Sequence, residues 1–429
     1  MSRKLQYFGF SLMTCAAFVY MCAIFVDKRV FPERTYNLTV TAVPGRITVS
    51  ESNYKSESHT TARQTYRPGT SILNKDENEY SNHGENDSFA TDTKEETLCN
   101  STILKPNLDM FNRSKSVEKR HIAFLKVHKA ASTTLQTMFY RFGFERNLSF
   151  VLPIKSNYIS KSVNVHEDLV SPLHGDHYDI ICNHGIFSHF IYSSLMPNDT
   201  IYLAVVRNPM DQFISAVKYY TEVYKFQYLV NIPGNRINNL INFPNKYDEL
   251  LSYTRNSMSR DFGFQKHHVF NMQEAECYLM ELDKVFDFVL IAEHFDESLI
   301  LMRRRLNWSL KDILYISKNV RGQDEVISKP LKAKLYERNK LDYMVYDFFY
   351  RKFQIILKEF KEDVMAEMVY FKQVLSTVQS WCVDDMVGNL VIKSSVWNDE
   401  FIINMRDCKL MMKGELKFIK LLKNGITEL

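Results

Sequence analysis

Residues 121 to 134, His-Ile-Ala-Phe-Leu-Lys-Val-His-Lys-Ala-Ala-Ser-Thr-Thr, constrain the fold more than any other stretch of this 429-residue chain. An apolar strand carrying Ile122, Phe124 and Val127 stops at His128 and Lys129. Small and hydroxyl residues follow, and Leu135-Gln-Thr-Met-Phe-Tyr then reads as helix. A strand, a tight loop and a helix N-terminus make a site for phosphate or sulfate, because unpaired amides and the helix dipole face the anion. The glycines and the Gly-Lys-Ser/Thr ending of a nucleotide-triphosphatase loop are absent, so that motif is not matched. A second segment, the apolar run Ile201 to Val206 followed by Arg207-Asn-Pro-Met-Asp-Gln-Phe-Ile-Ser215, repeats the arrangement with an arginine at the strand end. Two such sites on one sheet predict a ligand with two separated anionic ends.

From Glu118 onward strands and helices alternate, which predicts an α/β fold with a central parallel sheet. Strands are expected at 121–127, 178–183, 201–206 and 286–291, and helices at 133–142, 211–224, 273–282 and 297–306. Beyond Phe360 the pattern weakens. Residues 118–370 are read as the main folded domain and 371–429 as its C-terminal cap. Residues 27–117 are rich in Ser, Thr, Asn, Glu and Lys without sustained periodicity, and are expected to form a mostly disordered stem.

Leu5 to Val26 carries no charge and is long enough to span a bilayer, so it is read as an uncleaved signal anchor behind a four-residue cytoplasmic tail. Asn-x-Ser/Thr triplets at Asn37, Asn86, Asn100, Asn112, Asn147, Asn198 and Asn307 place the remainder on the lumenal side, as in a type II membrane protein. Of seven cysteines, five follow the anchor. That odd number leaves one unpaired or joined to another chain, and Cys99 in the stem is the expected odd one. No cysteine/histidine cluster has zinc-site spacing, the adjacent His267 and His268 read as a surface pair, and no metal is called for. A net charge of +4 does not argue for nucleic-acid binding.

Between Ile122 and Phe353 the chain resembles the Golgi galactose-3-O-sulfotransferases, which include galactosylceramide sulfotransferase. The resemblance rests on Phe-Leu-Lys-Val-His-Lys-Ala-Ala-Ser-Thr-Thr (124–134), Ile-Cys-Asn-His (181–184), Met-Pro-Asn-Asp-Thr (196–200) and Val-Val-Arg-Asn-Pro (205–209). Asp-Phe-Gly-Phe (261–264), Leu-Ile-Ala-Glu-His-Phe-Asp-Glu-Ser-Leu (290–299) and Asn-Trp-Ser-Leu-Lys-Asp-Ile-Leu-Tyr (307–315) complete it. It implies a nucleotide-kinase-like sulfotransferase fold and 3′-phosphoadenosine-5′-phosphosulfate (PAPS) as sulfuryl donor, whose two anionic ends suit the two loops. The implied acceptor is the 3-hydroxyl of a terminal β-galactose on a glycolipid or glycoprotein. The Golgi membrane is the implied location, with no metal, and a homodimer is allowed for.

Carried over residue by residue, the 5′-phosphosulfate loop is Lys126 to Thr134. Lys129 is expected to neutralise the leaving group, and Ser132, Thr133 and Thr134 to donate hydroxyl and amide bonds. Ala130 and Ala131 keep the backbone accessible, where relatives tend to have Thr followed by Ala or Gly. His128 and Lys126 reinforce the site, Lys126 against the alternative of an exposed strand residue. Arg207 and Ser215 match the 3′-phosphate element, and a later basic loop brings Arg321 over the nucleotide unless it is an ordinary solvated turn. His184 is the expected general base, with His174 and His177 as rivals. Tyr219, Tyr220 and Tyr224 are weighed as sugar-stacking residues against ordinary core packing. A glycosaminoglycan sulfotransferase would favour a basic groove, for which Arg303-Arg304-Arg305 is the nearby run, itself expected on a helix surface. A catalytically inactive glycan-binding relative is the non-enzymatic alternative.

Overall fold

Four short runs, apolar at nearly every position, set the architecture. In a computed structural model that describes residues 38–43, 46–51, 105–112, 117–159, 165–173, 177–316, 327–385 and 388–424, they form one sheet. A hairpin of Leu38–Val43 (β1) and Arg46–Glu51 (β2) precedes them in a separate unit of the chain. The sheet strands are Ile122–Leu125 (β3), Ile180–Ile181 (β4), Ile201–Val206 (β5) and Phe288–Ile291 (β6). Every side chain in them except that of Tyr202 is buried, as a parallel sheet covered on both faces requires. The order is β4-β3-β5-β6, all parallel, with Ile122 opposite both Ile180 and Ile201, and Leu203 opposite Phe288.

That order carries the functional consequence. The chain runs from β3 outward to β4, then returns past β3 to β5, so the winding reverses between β3 and β5. In open α/β sheets a ligand binds at the carboxyl ends of the strands at such a reversal. Helices Ser132–Glu145 (α1) and Pro209–Glu222 (α2) begin at those two carboxyl ends. Ser257–Asp261 (α3) and Met272–Val285 (α4) lead to β6, and Phe295–Leu306 (α5) follows it. Two 20-residue helices, Lys340–Glu359 (α6) and Lys361–Ser380 (α7), precede the hairpin Leu390–Ile392 (β7) and Phe401–Ile403 (β8). Met405–Met412 (α8) and Glu415–Asn424 (α9) complete the described chain.

The four strands and the first four long helices stand where the hydrophobic pattern puts them, with shifted ends. β3 stops before Lys126 because the Val127 amide turns back to the Leu125 carbonyl at 3.0 Å. Other expectations need correction. Within the segment expected to be a stem, the β1–β2 hairpin is formed, and a capped turn, Leu108–Phe111, inserts Phe111 into the core 5.2 Å from the ring of Phe288. The pattern does not weaken past Phe360. Val364, Glu367, Met368, Phe371, Val374, Leu375 and Val378 form one buried stripe of α7, and the boundary between 370 and 371 falls inside that helix. Glu367, fully buried, accepts from both Arg303 and Arg304, while Arg305 pairs with Asp287 at 2.5 Å. The arginine run is therefore internal wiring rather than a helix surface. A Cys382–Cys408 disulfide pins α8 to the end of α7, Cys277 is also disulfide-bonded, and Cys182 is a free buried thiol. Cys99 and the Leu5–Val26 segment lie outside the described residues. Among the described residues no helix is long and apolar enough to cross a membrane.

At Gly263 both backbone conformation and neighbouring backbone demand glycine. Gly263 has φ +91°, and a Cβ there would sit 2.5 Å from the Phe187 carbonyl oxygen. Gly263→Ala is expected to destabilise the protein by about 2–3 kcal/mol through backbone strain and that clash, read as a lower thermal midpoint. An unchanged midpoint would show that the turn relaxes freely.

Candidate functional site

The loop after β3 departs from ordinary backbone twice. Lys129 has φ 58° and Ala131 φ 59°, both left-handed conformations that cost a side-chain-bearing residue energy and cluster at functional sites. Ala131 is the N-cap of α1 and has no side-chain oxygen, so the first-turn amides of Ser132 and Thr133 receive no capping bond. Thr134 is half-exposed and its amide is satisfied locally by the Ala131 carbonyl at 3.2 Å. The Ser132 hydroxyl is committed inward, donating to the Val127 carbonyl at 2.6 Å, which departs from its expected role as a donor to ligand. Ala130 is fully buried beneath the loop. The Lys129 ammonium lies 3.6 Å from the centre of the Tyr219 ring, so Tyr219 serves the loop lysine rather than the core alone. Tyr220 is buried and stacks on Phe226, whereas Tyr224 is exposed.

The second loop does not repeat the first. α2 starts with Pro209, which has no amide hydrogen, and Asn208 caps the Met210 amide at 3.0 Å. The polar side chains at this strand end are those of Arg207 and, farther along α2, half-buried Ser215. The two loops are physically tied. Arg207 Nη1 donates to the Lys129 carbonyl at 3.1 Å, and the buried Gln212 amide donates to the His128 carbonyl at 3.1 Å.

Behind the loop stand two histidines with different wiring. Their rings stack with centroids 4.2 Å apart. His128 Nδ1 lies 2.7 Å from Asp261 Oδ2, and the His128 amide donates to the same oxygen at 2.7 Å. Asp261 is fully buried at the end of α3, and an ionised carboxylate only accepts, so the imidazole proton sits on Nδ1 and Nε2 keeps its lone pair. Tyr253 packs edge-on against His128 at 5.2 Å and carries the Arg260 guanidinium 4.5 Å over its own ring. His184 follows β4, its carbonyl held by the Ile159 amide at 2.7 Å. Lys126 Nζ lies 2.9 Å from His184 Nε2 and 2.7 Å from Glu415 Oε2. Charged Lys126 has no lone pair, so it donates to Nε2 and leaves the His184 proton on Nδ1, an atom sealed from solvent without a partner. Burial first, then the Lys126 charge, hold His184 well below the ordinary imidazole pKa, so it stays neutral. Burial likewise lowers the Lys126 pKa, against the opposing pull of Glu415.

Lys126 is thus 1% exposed and not the surface strand residue of the alternative reading. Its partner Glu415, on α9, was absent from the sequence reading, as were the assigned roles of Asp261, Gln212 and Tyr253. His177 faces the other end of the sheet, beside His121 and Asp179, and does not reach this site. His174 and Arg321 lie outside the described residues.

Comparison with known proteins identifies the family. The sequence profile of the galactose-3-O-sulfotransferase family matches residues 80–400. Mouse galactose-3-O-sulfotransferase 2 is 33% identical over 251 residues, 54% of this chain and 61% of that protein. Human galactosylceramide sulfotransferase is 29% identical over 292 residues, 66% of this chain and 68% of that protein. The chain thus spans less than two thirds of the mouse relative's length and slightly more of the human one's. With the family profile covering most of its length, the chain belongs to the galactose-3-O-sulfotransferase family.

Proposed function

We propose that the protein transfers a sulfuryl group from PAPS to the 3-hydroxyl of a terminal β-galactose on a glycolipid or glycoprotein glycan. The observation that carries this reading is the convergence, at the winding reversal between β3 and β5, of an uncapped helix N-terminus, Lys129, Arg207 and the Asp261–His128 pair. The donor supplies an activated sulfuryl group on a 5′-phosphate and a separate 3′-phosphate. The α1 amides and Lys129 suit the first anion, and Arg207 with Ser215 suits the second. Lys129 also offers preorganised positive charge to the departing phosphate oxygen.

His128 is the better-placed general base. Asp261 holds Nδ1–H, so Nε2 is free to take the galactose hydroxyl proton as that oxygen bonds to sulfur and the sulfur–oxygen bond to the donor breaks. His184, the base expected from the resemblance, has Nε2 engaged by Lys126 and Nδ1 sealed, and stacks behind His128 as a neutral positioning residue. A signal anchor at residues 5–26 would hold this domain in the Golgi lumen. The glycosaminoglycan reading loses its basic run, since Arg303, Arg304 and Arg305 are all paired with carboxylates.

The test is sulfuryl transfer from radiolabelled PAPS by the full-length protein in detergent. Galactosylceramide, lactose-type oligosaccharides and desulfated heparan would be offered side by side. Label at the 3-position of galactose is expected. Label on heparan alone, or donor binding without transfer to any acceptor, would overturn the reading.

A further inference from the structure

The opposite end of the strands carries a second cluster, away from the proposed transfer site. His121 immediately precedes β3, Asp179 precedes β4, and Asp199 lies two residues before β5, so three adjacent strand starts gather these side chains. Strand pairing fixes them. The Ile122 amide donates to the Asp179 carbonyl at 2.8 Å and the Ile201 amide to the His121 carbonyl at 3.0 Å. His121 Nε2 and His177 Nε2 approach the same atom, Asp179 Oδ1, at 3.5 and 3.7 Å. Those separations are long for hydrogen bonds. They are close to the nitrogen–oxygen edge of a tetrahedral zinc site, about 3.4 Å for metal–ligand bonds near 2.0–2.2 Å. One ligand atom from each of the three residues lies within 4.8 Å of the others.

The surrounding bonds prepare both ends of the cluster for a cation. Asp179 Oδ2 accepts the Ser149 amide at 2.6 Å, which fixes the carboxylate and leaves Oδ1 facing the imidazoles. His121 Nδ1 lies 2.6 Å from Asp199 Oδ1, so its proton is on Nδ1 and Nε2 presents a lone pair. A carboxylate behind the ligating imidazole is the arrangement that orients histidines on metals. A second grouping, His267, His268 and Glu274, lacks this preparation. His268 Nδ1 accepts the Gln265 amide at 3.0 Å, which places the proton on the other nitrogen.

We propose that His121, His177 and Asp179 bind a zinc-type divalent cation, with Asp199 as the outer carboxylate and one coordination position left to water. Two imidazoles and a carboxylate favour zinc over magnesium or calcium. The ion would clip the starts of β3 and β4 together, at the far end of the strands from His128. The test is calorimetric titration of chelator-treated, untagged full-length protein with zinc chloride. Cobalt absorption would report tetrahedral geometry, and the thermal midpoint would report stabilisation. One saturable site per chain is expected, with visible cobalt bands and a raised midpoint. His121→Gln and His177→Gln are each expected to abolish all three signals, and Asp199→Asn to weaken binding about 10–100-fold. Retention of sulfuryl transfer by His177→Gln would show that the variant is folded. Absence of saturable binding in the unmodified protein, or binding undiminished in both histidine variants, would overturn the proposal. Binding lost only with His267→Gln would overturn it too.

Discussion

Replacing His128 with glutamine is expected to lower kcat for sulfuryl transfer about 10²–10⁴-fold while leaving donor affinity near that of the unmodified protein. The expectation rests on its 2.7 Å bond to buried Asp261, which leaves Nε2 as the basic nitrogen at the reversal point of the sheet. Asp261→Asn is expected to lower kcat as well, because an amide at that position also offers a donor and no longer enforces the Nδ1–H tautomer. His184→Gln should be milder. His184 is held neutral by burial and by Lys126, with Nε2 already accepting, so it has no free lone pair to offer a hydroxyl. Steady-state kinetics of the three variants, with donor binding measured separately, decide the matter. If His184→Gln abolishes turnover while His128→Gln keeps more than about a tenth of it, the base is His184 and the Asp261 pair is only structural.

The parts of this site that were legible in the sequence are those in which chemistry and chain position coincide. An apolar run ending in His128-Lys129 and another ending in Arg207 announce themselves, because parallel strands are buried on both faces and their carboxyl ends are where polar residues reappear. The equivalence of the two loops, read from the sequence, does not hold. It fails at Pro209 and Asn208, which close the α2 N-terminus that Ala131 leaves open in α1. Asp261 stood in plain view in an Asp-Phe-Gly-Phe run. Only Gly263 hinted at the sharp turn that places it, and nothing local pointed to His128, 133 residues away. The arginines at 303–305 misled for a similar reason: the partner of the first two, Glu367, lies on a helix whose buried stripe was overlooked. The cluster of His121, His177 and Asp179 escaped motif spacing because His121 precedes β3 while the other two precede β4.

Glu415 is the farthest of these partners in sequence, and its replacement should have the largest effect on stability. It lies 289 residues from Lys126, yet the two are 2.7 Å apart, with side chains 18% and 1% exposed. α9 delivers it by burying Phe418, Ile419, Leu421 and Leu422, and Asn157 Nδ2 holds its other oxygen at 3.1 Å. Glu415→Gln would leave a buried ammonium without its counter-charge, a loss of about 3 kcal/mol at neutral pH, the lower end for buried pairs since Glu415 keeps some solvent contact. In a domain of this size that corresponds to a fall of about 4–6 °C in the thermal midpoint. The pH dependence carries the sign of the cause. Burial already lowers the Lys126 pKa below its unfolded value, and removing Glu415 takes away the opposing attraction, so the folded variant binds fewer protons than the unfolded chain. Its stability should therefore rise as pH increases from neutral toward 10, and the deficit against the unmodified protein should shrink over that window. The double variant Lys126→Met, Glu415→Leu removes both charges and is expected to recover most of the stability. Its activity should stay no higher than that of His184→Gln, because His184 loses the hydrogen bond that sets its tautomer and orientation. Thermal unfolding of the single and double variants from pH 6 to 9.5, with transfer assayed alongside, separates the two roles. A Glu415→Gln protein with unchanged midpoint and flat pH dependence would mean that Lys126 is stabilised by His184 alone, and that the C-terminal helix is dispensable to the site.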